Sequence, residues 1–373
     1  MSLSKTSEKG QKMEEILREY FRASGYFVVR GARYVHAGAD VTDVDLWLYQ
    51  RASLFNRQRL NVDAKSRRVP QAMERVLWAK GLQVCLQLDG SLVATTDSRE
   101  AVKQFAELQR VTLLDGRFLS KLKAKYGAID DRFSDEEFYA LIRSSKSDRL
   151  GVQWLDRLVA AKSRVLSDLN FNGCNSLLAD VRYFAEQVRA VPHRQEVAIR
   201  LLYFTISLFL ITLDFTSLDF AFEEKQDQLK RLIDGLRFGT AGARGAAKIF
   251  AVASGLLGAY ADTKVPQREF TQMLKEQARE LPVEIIAEFA LKSNRILFDL
   301  ARSFENFAYQ RQFAPAESLS SEHRAALGAA LDFFGMDRKA FFDAQTNSPK
   351  DGDSTPSKID LHPRDTKLDV TSG

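Results

Sequence analysis

The feature that most constrains this chain is a change of periodicity at Gly127. Before it, short apolar runs alternate with amphipathic stretches. Beyond it, nearly every window from about 134 to 345 has apolar residues at helical spacing, and two-residue alternation disappears. Residues 13–23 (MEEILREYFRA) put apolar side chains at 13, 16, 17, 20 and 21, one stripe of a helix that Gly25 ends. Segments 26–30, 44–49 and 60–64 read as strands and 72–80 as a short helix. Segments 84–88 and 92–95 read as two strands joined at Asp89-Gly90, a hairpin signal. Ser98 is placed to cap a helix over 100–109; a strand over 111–114, a turn at Asp115-Gly116 and a helix over 118–126 follow. Such alternation predicts an α/β unit, a mixed sheet flanked by helices, over residues 1–127.

The rest of the chain predicts a separate all-α domain over 128–345, with helices near 135–144, 151–167, 175–191, 194–219, 222–237, 246–262, 267–278, 282–312, 321–330 and 337–344. No repeat of solenoid length recurs. Residues 346–373 are polar and rich in Pro, Gly, Ser and Asp, which predicts a disordered tail. The longest uncharged apolar run, 201–213 (LLYFTISLFLITL), is about a third shorter than a bilayer needs and is followed by Asp214 and Asp219. It reads as the core helix of the helical domain, and a membrane partner is not expected. Two cysteines, Cys85 and Cys174, make no disulfide framework, and the first residues lack an apolar signal core. Both point to a cytoplasmic protein.

Charge divides at the same boundary. Residues 1–127 hold 22 Lys and Arg against 14 Asp and Glu, whereas the whole chain holds 54 and 49. The basic surplus therefore lies wholly in the first third, as expected of a polyanion-binding part joined to a partner-binding or self-associating one.

Within that third, Glu14, Asp45, Asp63 and Lys65 stand out. Asp45 opens the apolar run DLWLY, and Asp63 and Lys65 share one face of the strand LNVDAK. Carboxylates that close to a sheet core require a counter-charge or an ion. Two of them on neighbouring strands make a hard oxygen site of the kind Mg2+ or Mn2+ takes, with Glu14 reaching the same ion from the preceding helix. Lys65 would offset charge on a reacting phosphate. Asp43, on the same strand face as Asp45, is the alternative ligand. Arg67 and Arg68, directly after the site strand, with Arg30, Arg33, Arg57 and Arg59 in flanking segments, are candidates for phosphate contacts.

This order, a helix Glu, then GYFVVR, TDVDLWLY and VDAKSRR, resembles the PD-(D/E)xK nuclease superfamily. The spacing from Glu14 to Gly25 is similar to that of archaeal Holliday junction resolvases, and LVATTDSREAVKQFAELQRVTLLDGRFLSKL is similar to the end of Mrr-type restriction endonuclease domains. The resemblance covers about residues 10–126. It departs in having Asp43-Val44 where the motif's proline would stand, and Asp63 where Mrr-type proteins often have Gln. It implies a restriction-endonuclease-like fold, Mg2+-dependent cleavage of DNA, and a role in restriction, phage defence or repair. A different class fits the same residues: a non-catalytic nucleic-acid-binding or regulatory protein acting through its helical domain. Other chemistries find no support. The four histidines are scattered without zinc spacing, no GxSxG elbow occurs, and GTAGARGAAK (239–248) fails the Walker spacing and reads as a helix–helix connection.

Overall fold

The computed structural model of the protein describes residues 5–65, 71–128, 130–143, 149–260 and 267–346. The tail beyond 346, together with Arg67 and Arg68, lies outside the described residues.

Helix α1 (Lys5–Ala23) leads into a five-stranded mixed sheet. Its strands are β1 (Phe27–His36), β2 (Ala39–Arg51), β3 (Arg57–Lys65), β4 (Gly90–Thr95) and β5 (Thr112–Leu114), in that spatial order. The first three run antiparallel. β4 and β5 join in parallel after crossovers through α2 (Ala72–Cys85) and α3 (Glu100–Leu108), and α4 (Gly116–Tyr126) closes the unit.

The hairpin expected at Asp89-Gly90 is absent. The apolar residues 84–88 end α2 and turn out of it, with Val84 solvent-exposed and Gln87 at φ +52°. Asp89 instead registers two strands. Its carboxylate accepts the Arg59 backbone N–H at 2.7 Å and its own N–H donates to the Arg59 carbonyl at 2.8 Å, pinning the start of β4 parallel to β3. Asp115 caps α4 by accepting the Phe118 N–H at 3.0 Å, while Arg99 rather than Ser98 occupies the N-cap of α3.

The remaining chain is helical: α5 (Asp135–Arg143), α6 (Arg149–Ser167), α7 (Phe171–Ala190), α8 (Gln195–Thr216), α9 (Lys225–Phe238), α10 (Gly242–Tyr260), α11 (Gln267–Glu280), α12 (Val283–Ser293), α13 (Leu297–Tyr309), α14 (Ser321–Phe333) and α15 (Arg338–Thr346). α8 lies within the one described segment long and apolar enough to cross a membrane, Pro192–Phe220, and it is the core of this part: every residue from Val197 to Asp214 is buried. Arg200, wholly buried, donates to the carbonyls of Ala308, Gln310 and Arg311, tying the end of α13 to α8. The single helix expected over 282–312 breaks at Asn294. There Arg51 of β2 takes the Asn294 backbone carbonyl and, at 3.2 Å, its side-chain oxygen.

The helical part is not the separate body that the sequence suggests. One face of the sheet, carrying Val28, Leu46, Leu48, Leu60, Val62 and Ala64, packs with α1 and α4. The other sends Phe27, Val29, Trp47 and Tyr49 into one continuous core with α6, α7, α8, α12 and α13. A second covering of this face, Val76 and Ala79 of α2 with Ala106 of α3, lies over Val93 of β4. A sheet apolar on both faces must be covered on both, and helices from beyond Gly127 supply most of one cover.

Two buried ionic clusters stitch the halves together. Asp214 of α8, with no exposure, accepts from the Tyr49 hydroxyl, from Arg51 at 2.7 Å and from Arg57 at 2.9 and 3.2 Å. Asp135 of α5 meets Lys162 of α6, Arg18 of α1 at 3.3 Å and the Tyr309 hydroxyl at 2.8 Å. Glu305 of α13 receives Arg18 at 2.9 Å and Arg132 at 2.6 Å. Burial alone would raise the Asp135 carboxyl, but Lys162, Arg18 and Arg30 outweigh it and hold the group well below the ordinary carboxylate range.

Candidate active site

Asp45 and Asp63 come together. The antiparallel register of β2 and β3 ends with Leu46 opposite Val62; Asp45 and Asp63 are the next residues on the two strands, and alternation puts both on the face that Trp47 and Asn61 share. The Asp45 carboxylate reaches across to accept the Ala64 backbone N–H at 2.8 Å. Asp63 is 5% exposed and Asp45 half-buried.

A third residue, unanticipated from the sequence, belongs with them. Arg75, in the first turn of α2, donates from Nε to Asp63 Oδ2 at 2.7 Å, and its second guanidinium nitrogen pairs with Oδ1, a fork-on-fork arrangement. Burial lowers the Arg75 pKa from its ordinary value, and the charge of Asp45 acts in the opposite direction. Asn61 fixes α2 over this face by donating to the Ala79 carbonyl at 3.2 Å.

The other candidates lie as follows. Asp43 is strongly exposed and 4.0 Å from Arg33 of β1, so Asp45 is the carboxylate beside Asp63. Glu14 does not join them. It is held at 2.9 Å by Arg30, which also engages Glu15 at 2.8 Å and both oxygens of Glu136. Among the described residues no group of three or more His, Cys, Asp or Glu side chains is placed to hold an ion. Among the described residues the three-carboxylate centre expected from the sequence is therefore not assembled: α1 packs on the sheet face of Leu46, Val62 and Ala64, opposite the face of Asp45 and Asp63, and Glu14 pairs with Arg30 of β1 there. Lys65 closes β3, its backbone paired with Thr95; its side chain lies outside the described residues.

Burial also removes two of the proposed phosphate contacts. Arg30 is 5% exposed and surrounded by carboxylates, and Arg57 is buried on Asp214. Arg59 donates to the Gln87 carbonyl and lies over the Phe215 ring. Arg33 remains open, 54% exposed. The expectations from sequence did not include α4, where Arg117, Lys121 and Lys125 recur every four residues on the exposed side of the helix, with Lys123 beside them. By contrast, a cleft of about 460 Å³ between α1 and α5 is rimmed by Glu15, Glu19, Asp130, Asp131, Glu136 and Glu137 against only three cations, a field that repels phosphate.

Comparison with known proteins returned nothing: no family model, no curated protein and no solved structure matches the chain.

Proposed function

We propose that the protein is a metal-dependent nuclease, with DNA as its substrate and the Asp45–Asp63 pair as its centre. The observation that carries this reading is the convergence of two carboxylates from neighbouring strands on one face, one of them almost fully buried, at the end of the strand that finishes in Lys65. Three antiparallel strands followed by a parallel crossover through α2 support the restriction-endonuclease-like reading of the sheet. The donor chemistry fits Mg2+ or Mn2+, which take one or two carboxylates and complete their shells with water and phosphate oxygens. When bound, such an ion supplies Lewis-acid stabilisation of charge on the phosphodiester. The chain's own residues do the rest. Asp45, oriented by the Ala64 N–H, and Asp63 hold the ion; Lys65 contributes an ammonium to the phosphate; Arg33, Arg67, Arg68 and the cations of α4 hold the nucleic acid without reading its sequence.

A second reading has its own observation. The Arg75 fork already satisfies Asp63, as expected of a sheet that has kept the shape of a nuclease and binds nucleic acid without cutting it. Plasmid incubation with Mg2+ or Mn2+ separates the two. Cleavage by the wild type that Asp63→Ala and Lys65→Ala abolish supports the enzyme. Equal DNA binding by all three with no cleavage supports the binder.

A further inference from the structure

We propose that Arg75 is an internal counter-ion that competes with a divalent cation for the carboxylates of Asp45 and Asp63. The inference rests on the reading of that pair as a cation site. A carboxylate as buried as Asp63 requires a compensating positive charge, and here Arg75 supplies it through two parallel contacts. The same guanidinium feels the charge of Asp45. The fork is closed on Asp63, and its charge also favours the ionised form of Asp45 beside it.

A guanidinium stays protonated at any physiological pH, so it cannot vacate the site by losing a proton. It leaves only by swinging its stem. The geometry allows that: Arg75 is in the first turn of α2 and a quarter exposed, whereas Asp63 is fixed in the sheet. A divalent ion and a guanidinium repel each other within one carboxylate pair, so the ion's apparent affinity is reduced by whatever holds Arg75 in place. The displaced fork matches a phosphate as well as it matches a carboxylate. A phosphodiester arriving at the site would therefore draw Arg75 away and leave Asp63 to the ion. Cation and phosphate binding then favour each other, and by linkage they do so equally in both directions.

The test is calorimetric titration of Mn2+ alone into the full chain, with circular dichroism confirming the fold of each variant. Arg75→Met keeps the aliphatic stem and removes the charge; Arg75→Lys keeps the charge and removes the fork. The expected result is Mn2+ affinity at least about tenfold tighter in Arg75→Met than in the wild type, with Arg75→Lys between them. Adding Asp63→Asn to Arg75→Met should abolish the gain. Equal affinities in the wild type and both Arg75 variants, abolished by Asp63→Asn, would overturn the counter-ion role while leaving the cation site standing. No Mn2+ binding in any variant would overturn both.

Discussion

Asp214 organises more of this molecule than any residue of the candidate centre. A carboxylate without solvent exposure persists only when its charge is answered, and Tyr49, Arg51 and Arg57 all answer this one. Asp214→Ala would leave two buried guanidinium groups without their counter-charge, bonded only to neutral acceptors such as Asn294 and the Ser53 carbonyl, and is expected to lower unfolding stability by about 3–5 kcal/mol in urea titrations. Asp135 has a pH signature. Its carboxyl is depressed in the fold, so its stabilisation is complete above the ordinary unfolded value of about 4 and is lost as pH falls below it. The urea midpoint of the wild type should therefore fall steeply below about pH 4, and Asp135→Asn should start lower and fall less steeply. Residue-scale roles were the least legible in the sequence. Asp63 announces itself in an apolar strand, but Arg75, twelve positions on, is one charged helix residue among many, and a pair made between elements leaves no periodic trace. Asp214 was visible only as an interruption of an apolar run; that it binds the sheet depends on where β2 ends and β3 begins.

At the scale of elements, periodicity carried most of the information. The three antiparallel strands, α1, α4 and most of the helices beyond Gly127 fall where apolar spacing puts them, because burial follows that spacing: one stripe for α1 and α4, both faces for the central strands and the whole circumference for α8. The strand expected over 92–95 is β4, but the strand expected over 84–88 and the hairpin joining the two failed for a local reason. Asp89-Gly90 has the chemistry of a tight turn, yet the main-chain and side-chain bonds of Asp89 to Arg59 commit it to starting a parallel strand. The break between α12 and α13 was equally invisible, since it depends on Arg51 arriving from β2. α4 offers a prediction of its own. If its exposed cations neutralise a nucleic-acid backbone, replacing Lys121 and Lys125 with Ala should reduce the slope of log affinity against log salt by about 0.9 for every duplex phosphate left unneutralised. An unchanged slope in fluorescence anisotropy titrations would remove this helix from the interface.

For the whole molecule, the decisive fact is the shared core. Phe27, Val29, Trp47 and Tyr49 belong to the same packed cluster as α8 and α13, and the ionic clusters at Asp135 and Asp214 join the same two halves. Residues 1–127 expressed alone would expose that face and deprive Arg18 of Asp135 and Glu305, Arg30 of Glu136 and Arg57 of Asp214. The fragment is expected to be aggregated or to lack a cooperative thermal transition by circular dichroism, whereas the full chain unfolds in one step. A fragment that melted cooperatively would refute the shared core.

The strand that carries Asp45 also carries Trp47 and Tyr49, two and four positions further on, wedged among the helices. Recombination at Gly127 therefore cannot trade one half for another without dismantling the sheet, and lineages of this chain should inherit the two halves as an indivisible pair, with changes in one matched by changes in the other.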